Sequence, residues 1–290
     1  MDTKEQLKGY LFLISAISIW AISSGVLVKL ITVSSFTLYS IGAFFGILFL
    51  FINLLIHKKF IKLINYPLKT TLLMLLVGLS VGLNNGFFFT ALKSGSIANA
   101  VLSHNIAPFL VVFLFAPLML KEKLTRKNFL LVLLAFLGLF IITIPSFKTS
   151  FDLALIYGGI SAIFYAFHTI IQKKVMQSKA DPLIAATYQN LVPFFMYIPF
   201  AFNNIKTGIS INNWILLAIW GILVLGISFT LFFNGIKRVP ATNASILTYG
   251  EPIGAIILAF IFFKQPINIY VIIGGLIILL SGIFLIKNNN

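Results

Sequence analysis

One glutamate sits where a carboxylate is expensive. Asp2, Glu5, Glu122, Asp152 and Asp181 fall in polar stretches or at the ends of apolar blocks, whereas Glu251 lies near the middle of one. No Lys or Arg shares its depth. An ionisable group within hydrocarbon is a functional candidate by default, and without a basic partner burial favours the neutral acid. Glu251 is thus read as a proton- or cation-linked switch, or as the contact for a substrate amine. The structural alternative is a neutral acid bonded to a neighbouring helix. His104 and His168 also lie inside apolar blocks, where an imidazole can relay protons, bind substrate or donate one bond within the fold. His57, beside Lys58 and Lys59, reads as a solvated loop residue. These side chains show no HExxH-type ligand spacing and the chain has no cysteine, so neither a metal nor another cofactor is expected. No GxxxxGK[ST] loop is present, so ATP is not an expected partner.

Further polar groups share that depth: Trp20 with Ser23 and Ser24, Asn84 and Asn85, Tyr165, Gln189 and Asn190, and Tyr249 beside Glu251. Singly, each amide reads as glue between helices, worth about 0.6 kcal/mol. Together they suggest a polar-lined pocket. Pro108 and Pro252 are read as helix breaks: each removes one backbone hydrogen bond and displaces the carbonyl four residues back, those of His104 and Thr248. Backbone freed at depth is tolerated where it lines a wet cavity.

The elements that must position these groups are long apolar helices. Of 290 residues, 60% are hydrophobic and 9% charged, against about 25% charged in a soluble domain. The apolar residues come in blocks of about twenty, the length that crosses a hydrocarbon core. Ten spans are expected: 9–31, 35–56, 70–92, 97–119, 127–146, 151–172, 182–202, 213–236, 243–263 and 267–286. The blocks are continuous rather than alternating, which argues against a barrel. A net charge of +15 could suggest nucleic acid, but the basic residues sit in short clusters between blocks and form no basic face. They give a topology instead. With a cytoplasmic N-terminus, Lys29, Lys93, Lys148, Lys206 and Lys264 fall outside and the other sixteen of the 21 Lys and Arg fall inside, the positive-inside pattern. Both termini are then cytoplasmic. Met1 to Lys8 followed by a long apolar block without a small-x-small site argues against a cleaved signal peptide.

The chain also repeats itself. Shifted by 144 residues, GFFFTALKSGSIANAVLSHNIAP (86–108) lies without a gap on TLFFNGIKRVPATNASILTYGEP (230–252). Phe88/Phe232, Lys93/Lys237, Asn99/Asn243 and Pro108/Pro252 coincide. The expected division is two five-span repeats, 9–146 and 151–286. Five is odd, so the second repeat enters the membrane inverted. Such repeats around a central cavity are a recurring plan of secondary transporters.

ALKSGSIANAVLSHNIAPFLVVFLFAPLMLKEKLT (91–125) and its echo GIKRVPATNASILTYGEPIGAIILAFIFFKQPI (235–267) resemble the drug/metabolite transporter superfamily, EamA type, across nearly the whole chain. The resemblance implies an all-helical fold of ten transmembrane helices, a substrate site between the repeats, and transport, often export, of an amino acid, other metabolite or toxic compound. It also implies that a Glu-Pro pair at 251–252 is common whatever is carried. Where the family usually has an acid after the ninth span, matching Glu122 after the fourth, this chain has Gln265.

The leading expectation is a secondary transporter in a cell (inner) membrane, exporting a small-molecule substrate, a small metabolite or amphipathic compound such as an amino acid, by alternating access with protons as the coupling partner. An uncoupled facilitator is the near alternative. A membrane scaffold or sensor and an intramembrane enzyme are the alternatives of other classes.

Overall fold

The structure, a computed structural model, describes residues 3–146 and 152–287. The described residues are helical, without strands. Nine helical segments among them are long and apolar enough to cross a membrane. In chain order these are α1 (Thr3–Leu30), α2 (Ser35–Ile56), α3 (Leu68–Lys93), α4 (Ile97–Leu120), α5 (Arg126–Ser146), α6 (Leu153–Gln177), α8 (Ile211–Arg238), α9 (Ala241–Phe263) and α10 (Ile269–Lys287). Between α6 and α8 runs α7 (Pro182–Thr207), 26 residues long but outside that set. Tyr188, Gln189, Asn190 and three prolines lower its apolar character. Lys148, expected on the external side, and residue 151, the expected start of the sixth span, lie outside the described residues.

Local chemistry sets the helix ends. Thr125, Asp152, Asp181 and Ser210 each accept a backbone N–H at a helix N-terminus, where four such donors are otherwise unpaired. Lys121 and Lys264 leave α4 and α9 in the left-handed conformation, φ 58° and 53°. α1 and α6 run past the expected spans on polar turns, TKEQLK and KKVMQ.

Packing pairs the helices across the two halves. α3 lies along α6, α2 along α7, α5 along α10, and α1 along α8. Glycines set the close approaches: a Cβ on Gly221 would strike the Gly42 carbonyl, and one on Gly274 the Gly138 carbonyl. Gly78, Gly82 and Gly86 bring α3 onto Gln189, Met196 and Tyr197 of α7. Large apolar side chains outside these seams point outward, for example Leu72, Phe195, Ile261 and Phe284, as a bundle needs when its solvent is lipid.

Two helices break at equivalent points. α-Helical structure lapses at Asn105–Ile106, between Ile97–His104 and Ala107–Leu110, and again at Tyr249, between Ala241–Thr248 and Gly250–Phe263. Pro108 and Pro252 each stand three residues after Asn105 and Tyr249. The breaks touch: the Tyr249 hydroxyl donates to the Asn105 carbonyl at 2.8 Å.

Candidate functional site

A cavity of about 240 Å³ lies among α1, α2, α3, α4, α6, α8 and α9. It reaches from Glu251 and His168 near mid-depth to Val28 and Ser35 at the α1–α2 turn. Of the residues singled out in the sequence, Trp20, Asn84, Asn85, His104, Tyr165, His168 and Glu251 line it. Gln189, Asn190 and Tyr249 do not. They are buried behind the wall, where Gln189 Oε1 accepts from Gln172 Nε2 (2.9 Å) and lies 3.3 Å from His168 Nε2. Asn190 Nδ2 donates to the Leu225 carbonyl (2.8 Å). Pro108 and Pro252 likewise stand outside the lining, near His104 and Glu251 in the chain.

Polar wall groups are held by short internal bonds. Trp20 Nε1 donates to Ser228 Oγ at 2.6 Å and Trp220 Nε1 to Ser23 Oγ at 2.8 Å. Ser161 Oγ donates to Asn84 and stands 2.7 Å from His104 Nδ1. With the Ser161 proton committed to Asn84, Nδ1–H of His104 is the donor and Nε2 of the neutral ring is an acceptor. Ser24 Oγ bonds mainly to the Trp20 carbonyl (2.8 Å) and reaches a Glu251 oxygen at 3.3 Å. No Lys or Arg among the described residues lines the cavity.

An aromatic belt surrounds these groups. Ring centroids run Phe88–His104 (4.2 Å), His104–Tyr165 (5.3 Å), Tyr165–His168 (6.4 Å), His168–Phe229 (6.4 Å) and Phe229–Trp20 (5.7 Å). Tyr39 and Trp220, 5.8 Å apart, complete the wall toward α2 and α8. Sequence reasoning missed this pair. The signal that could have found it was an aromatic ring with a polar handle in mid-span, a group that is costly to bury in lipid.

The two ends of the bundle differ. At the α4–α5 end, Glu122 accepts the backbone N–H groups of Ala241 (2.7 Å) and Thr242 (3.0 Å), capping α9. Lys173 Nζ donates to the carbonyls of Ile236 and Val239 at the end of α8 (2.7 and 2.6 Å), and Arg238 pairs with Glu5 of α1 (3.0 Å). Asn243 Nδ2 donates to the Tyr10 hydroxyl (2.7 Å). Across the bundle, at the α1–α2 end toward which the cavity extends, Gln265 accepts from Lys29 (3.0 Å) and Asn213 bridges to Thr32. Asp152 at the start of α6 accepts from Ser96 N (3.0 Å) and Asn99 Nδ2 (3.1 Å). Among the described residues no group of acids and histidines is arranged to hold a metal ion.

Known proteins add an independent line of support. The chain is 26% identical over 203 residues to the uncharacterized transporter YxxF of Bacillus subtilis, a match covering 69% of this chain and 64% of that protein. It is 29% identical over 223 residues to the uncharacterized transporter YyaM of the same organism, covering 71% of each. An uncharacterized transporter of Archaeoglobus fulgidus is 25% identical over 199 residues, covering 66% of this chain and 68% of that one. A crystal structure of another protein superposes with a TM-score of 0.74 over 96% of both chains at 18% identity, a likeness of fold alone. The model of the EamA-like transporter family matches twice, over residues 7–144 and 152–287. The chain, a multi-pass membrane protein of this architecture, belongs to the EamA-like transporter family.

Proposed function

We propose that this protein is a secondary transporter that carries a small metabolite or amphipathic compound across a cell (inner) membrane by alternating access, with Glu251 as its proton-coupling carboxyl. The bundle is two inverted five-helix repeats, 9–146 and 151–286, with α7 as the crossing that joins the nine apolar ones and both termini cytoplasmic. The pairing of α2 with α7 and of α5 with α10 supports this reading, since each joins equivalent members of the two repeats. So does the bond from Tyr249 to Asn105, residues 144 apart. On the charge pattern, the Glu122 end is cytoplasmic and the Lys29 end external.

One observation carries the mechanism: the cavity runs from Glu251 toward one end while the other end is latched. In this outward-facing arrangement the carboxyl exchanges its proton with external water, and substrate reaches the same space. Reversal of the two ends delivers both to the cytoplasmic side. Sealed proteoliposomes test this with a panel of amino acids, nucleosides, sugars and amines. Glu251→Gln is expected to lose pH-driven accumulation at least tenfold while retaining counterflow, because a fixed neutral group still permits exchange. Full pH-driven accumulation by the variant would remove the proton role, and accumulation by neither protein with counterflow by both would identify an uncoupled facilitator.

A further inference from the structure

The central cavity holds a carboxyl and aromatic faces, and no fixed cation is among its described lining residues. Its two indole N–H groups are consumed internally, Trp20 by Ser228 and Trp220 by Ser23. Asn85 Nδ2 gives one N–H to the Val81 carbonyl (2.8 Å), which leaves its second N–H and Oδ1, with the Asn84 amide N–H groups, as neutral polar groups of the wall. On the acceptor side stands the Glu251 carboxyl, engaged by a single 3.3 Å contact. The Tyr39 side chain also borders the cavity, and its hydroxyl, which can donate as well as accept, is buried without a partner among the described residues. A buried polar atom without a partner is costly and calls for explanation. Around these acceptors the rings of Trp20, Tyr165 and Phe229 offer π faces, and a desolvated cation over such a face is stabilised. No guanidinium or ammonium in the described wall can answer a substrate carboxylate.

We infer that the transported substrate is a small organic monocation, an amine or quaternary ammonium on an apolar or aromatic body, held by Glu251 and the ring belt in preference to the zwitterionic amino acid of the same body. This deepens the transport reading above and rests on it. The ammonium addresses Glu251, while the body packs on the apolar wall. A zwitterion would bury its carboxylate with no cationic partner in the described wall, a costlier placement than that of an amine alone. The size agrees: about 240 Å³ falls under the roughly 300–1,000 Å³ of sites for drug-sized ligands, room for one or two rings.

The test uses one scaffold in different charge states: phenethylamine, phenylalanine, 3-phenylpropanoate and 2-phenylethanol. Binding to the full-length protein in detergent is read by quenching of tryptophan fluorescence, since Trp20 and Trp220 form part of the wall. Phenethylamine is expected to bind at least tenfold more tightly than phenylalanine or phenylpropanoate. Glu251→Gln is expected to cost phenethylamine at least tenfold and phenylethanol nothing, and unchanged phenylethanol binding shows that the variant is folded. Phe229→Leu, which leaves the carboxyl intact, is expected to weaken phenethylamine more than phenylethanol. Phenylalanine binding as tightly as phenethylamine, or equal loss of both ligands in Glu251→Gln, overturns the inference. Counterflow in vesicles separates the two claims. Amine binding without counterflow by the wild-type protein sinks transport and leaves the cation site standing. Counterflow of phenylalanine but not phenethylamine sinks the cation site and leaves transport standing.

Discussion

The two ends of the bundle share a backbone device and differ by one side chain. α4 and α9 both finish on a lysine in the left-handed conformation, Lys121 and Lys264. In each case the next N–H turns back to a carbonyl six residues earlier, Glu122 to Ala116 (3.2 Å) and Gln265 to Ala259 (3.4 Å). A non-glycine residue in that conformation costs roughly 1–2 kcal/mol, so the motif occurs twice against an energetic cost. Beyond this shared turn the two ends diverge. Glu122 spans to α9 and takes two backbone N–H groups at that helix's positive end, where a carboxylate is favoured. Gln265 takes one exposed lysine from α1. The start of α4, which a symmetric molecule would hold with residue 265, is held by Asp152 of α6. The comparison teaches that the chain keeps its backbone pseudosymmetry while distributing charge unequally, and the unequal charge selects which end is latched.

Removing the stronger latch is expected to have the largest effect. Loss of a capping carboxylate costs about 1–2 kcal/mol, so Glu122→Ala should shift the equilibrium between outward- and inward-facing forms about tenfold toward the inward one. Ser245, buried in the first half of α9, reports on it. In a Ser245→Cys background, alkylation by a membrane-impermeant maleimide from the cytoplasmic side should accelerate by that factor. An unchanged rate would mean that Glu122 merely caps a helix and holds no gate. Glu122→Gln, which retains one acceptor oxygen, should fall between the two.

The second prediction strengthens the weaker end. Gln265→Glu sets a carboxylate against Lys29, whose Nζ now lies 3.0 Å from the amide oxygen. Exposed ion pairs contribute about 0.2–1 kcal/mol, so the outward-facing form, in which this contact is already made, should become up to about fivefold more favourable. Quenching of Trp20 and Trp220 by external iodide should rise accordingly, and molar salt should abolish the difference by screening. If quenching is equally raised at high salt, the substitution acts through packing and the charge comparison fails.

How far the sequence revealed this depends on what each residue's neighbours are made of. The apolar blocks marked the helices because backbone in lipid must bond internally. Their ends slipped where polar turns prolong a helix into water, as at Thr3–Lys8 and Lys173–Gln177. α7 was legible as a span from its length, yet its amides and prolines keep it outside the set of strongly apolar helices. At the site, polarity at depth identified Glu251, His104, Asn84 and Asn85, because such groups avoid lipid. The same logic swept in Gln189, Asn190 and Tyr249, which avoid lipid by facing other helices instead of the cavity. Depth therefore separates lipid from protein, while the direction of a side chain around its helix depends on packing partners far away in sequence. Tyr39 and Trp220 each carried a polar handle in mid-span, a mark that was passed over in a chain with 31 phenylalanines, nine tyrosines and three tryptophans.

The smallest expected effect belongs to Asp152, because it secures the α1–α2 end of the bundle without reaching a partner across the gate. The Ser96 N–H holds its carboxyl below the ordinary value of 3.8, working against desolvation and aided by Asn99 and the Leu155 N–H. A depressed carboxylate stabilises the fold above its unfolded-state pKa, and that contribution is lost as pH falls through the lower folded value. Asp152→Asn should therefore lower the unfolding temperature near neutral pH, and the gap between variant and wild type should narrow below about pH 3.8. Thermal unfolding in detergent across that range measures it. Cytoplasmic alkylation of Ser245→Cys should be unaffected, since Asp152 joins the starts of α4 and α6 on the opposite side of the bundle. An altered alkylation rate would mean that the two ends are coupled through α4 and α6, and the latch at Glu122 would then be one part of a larger rigid unit.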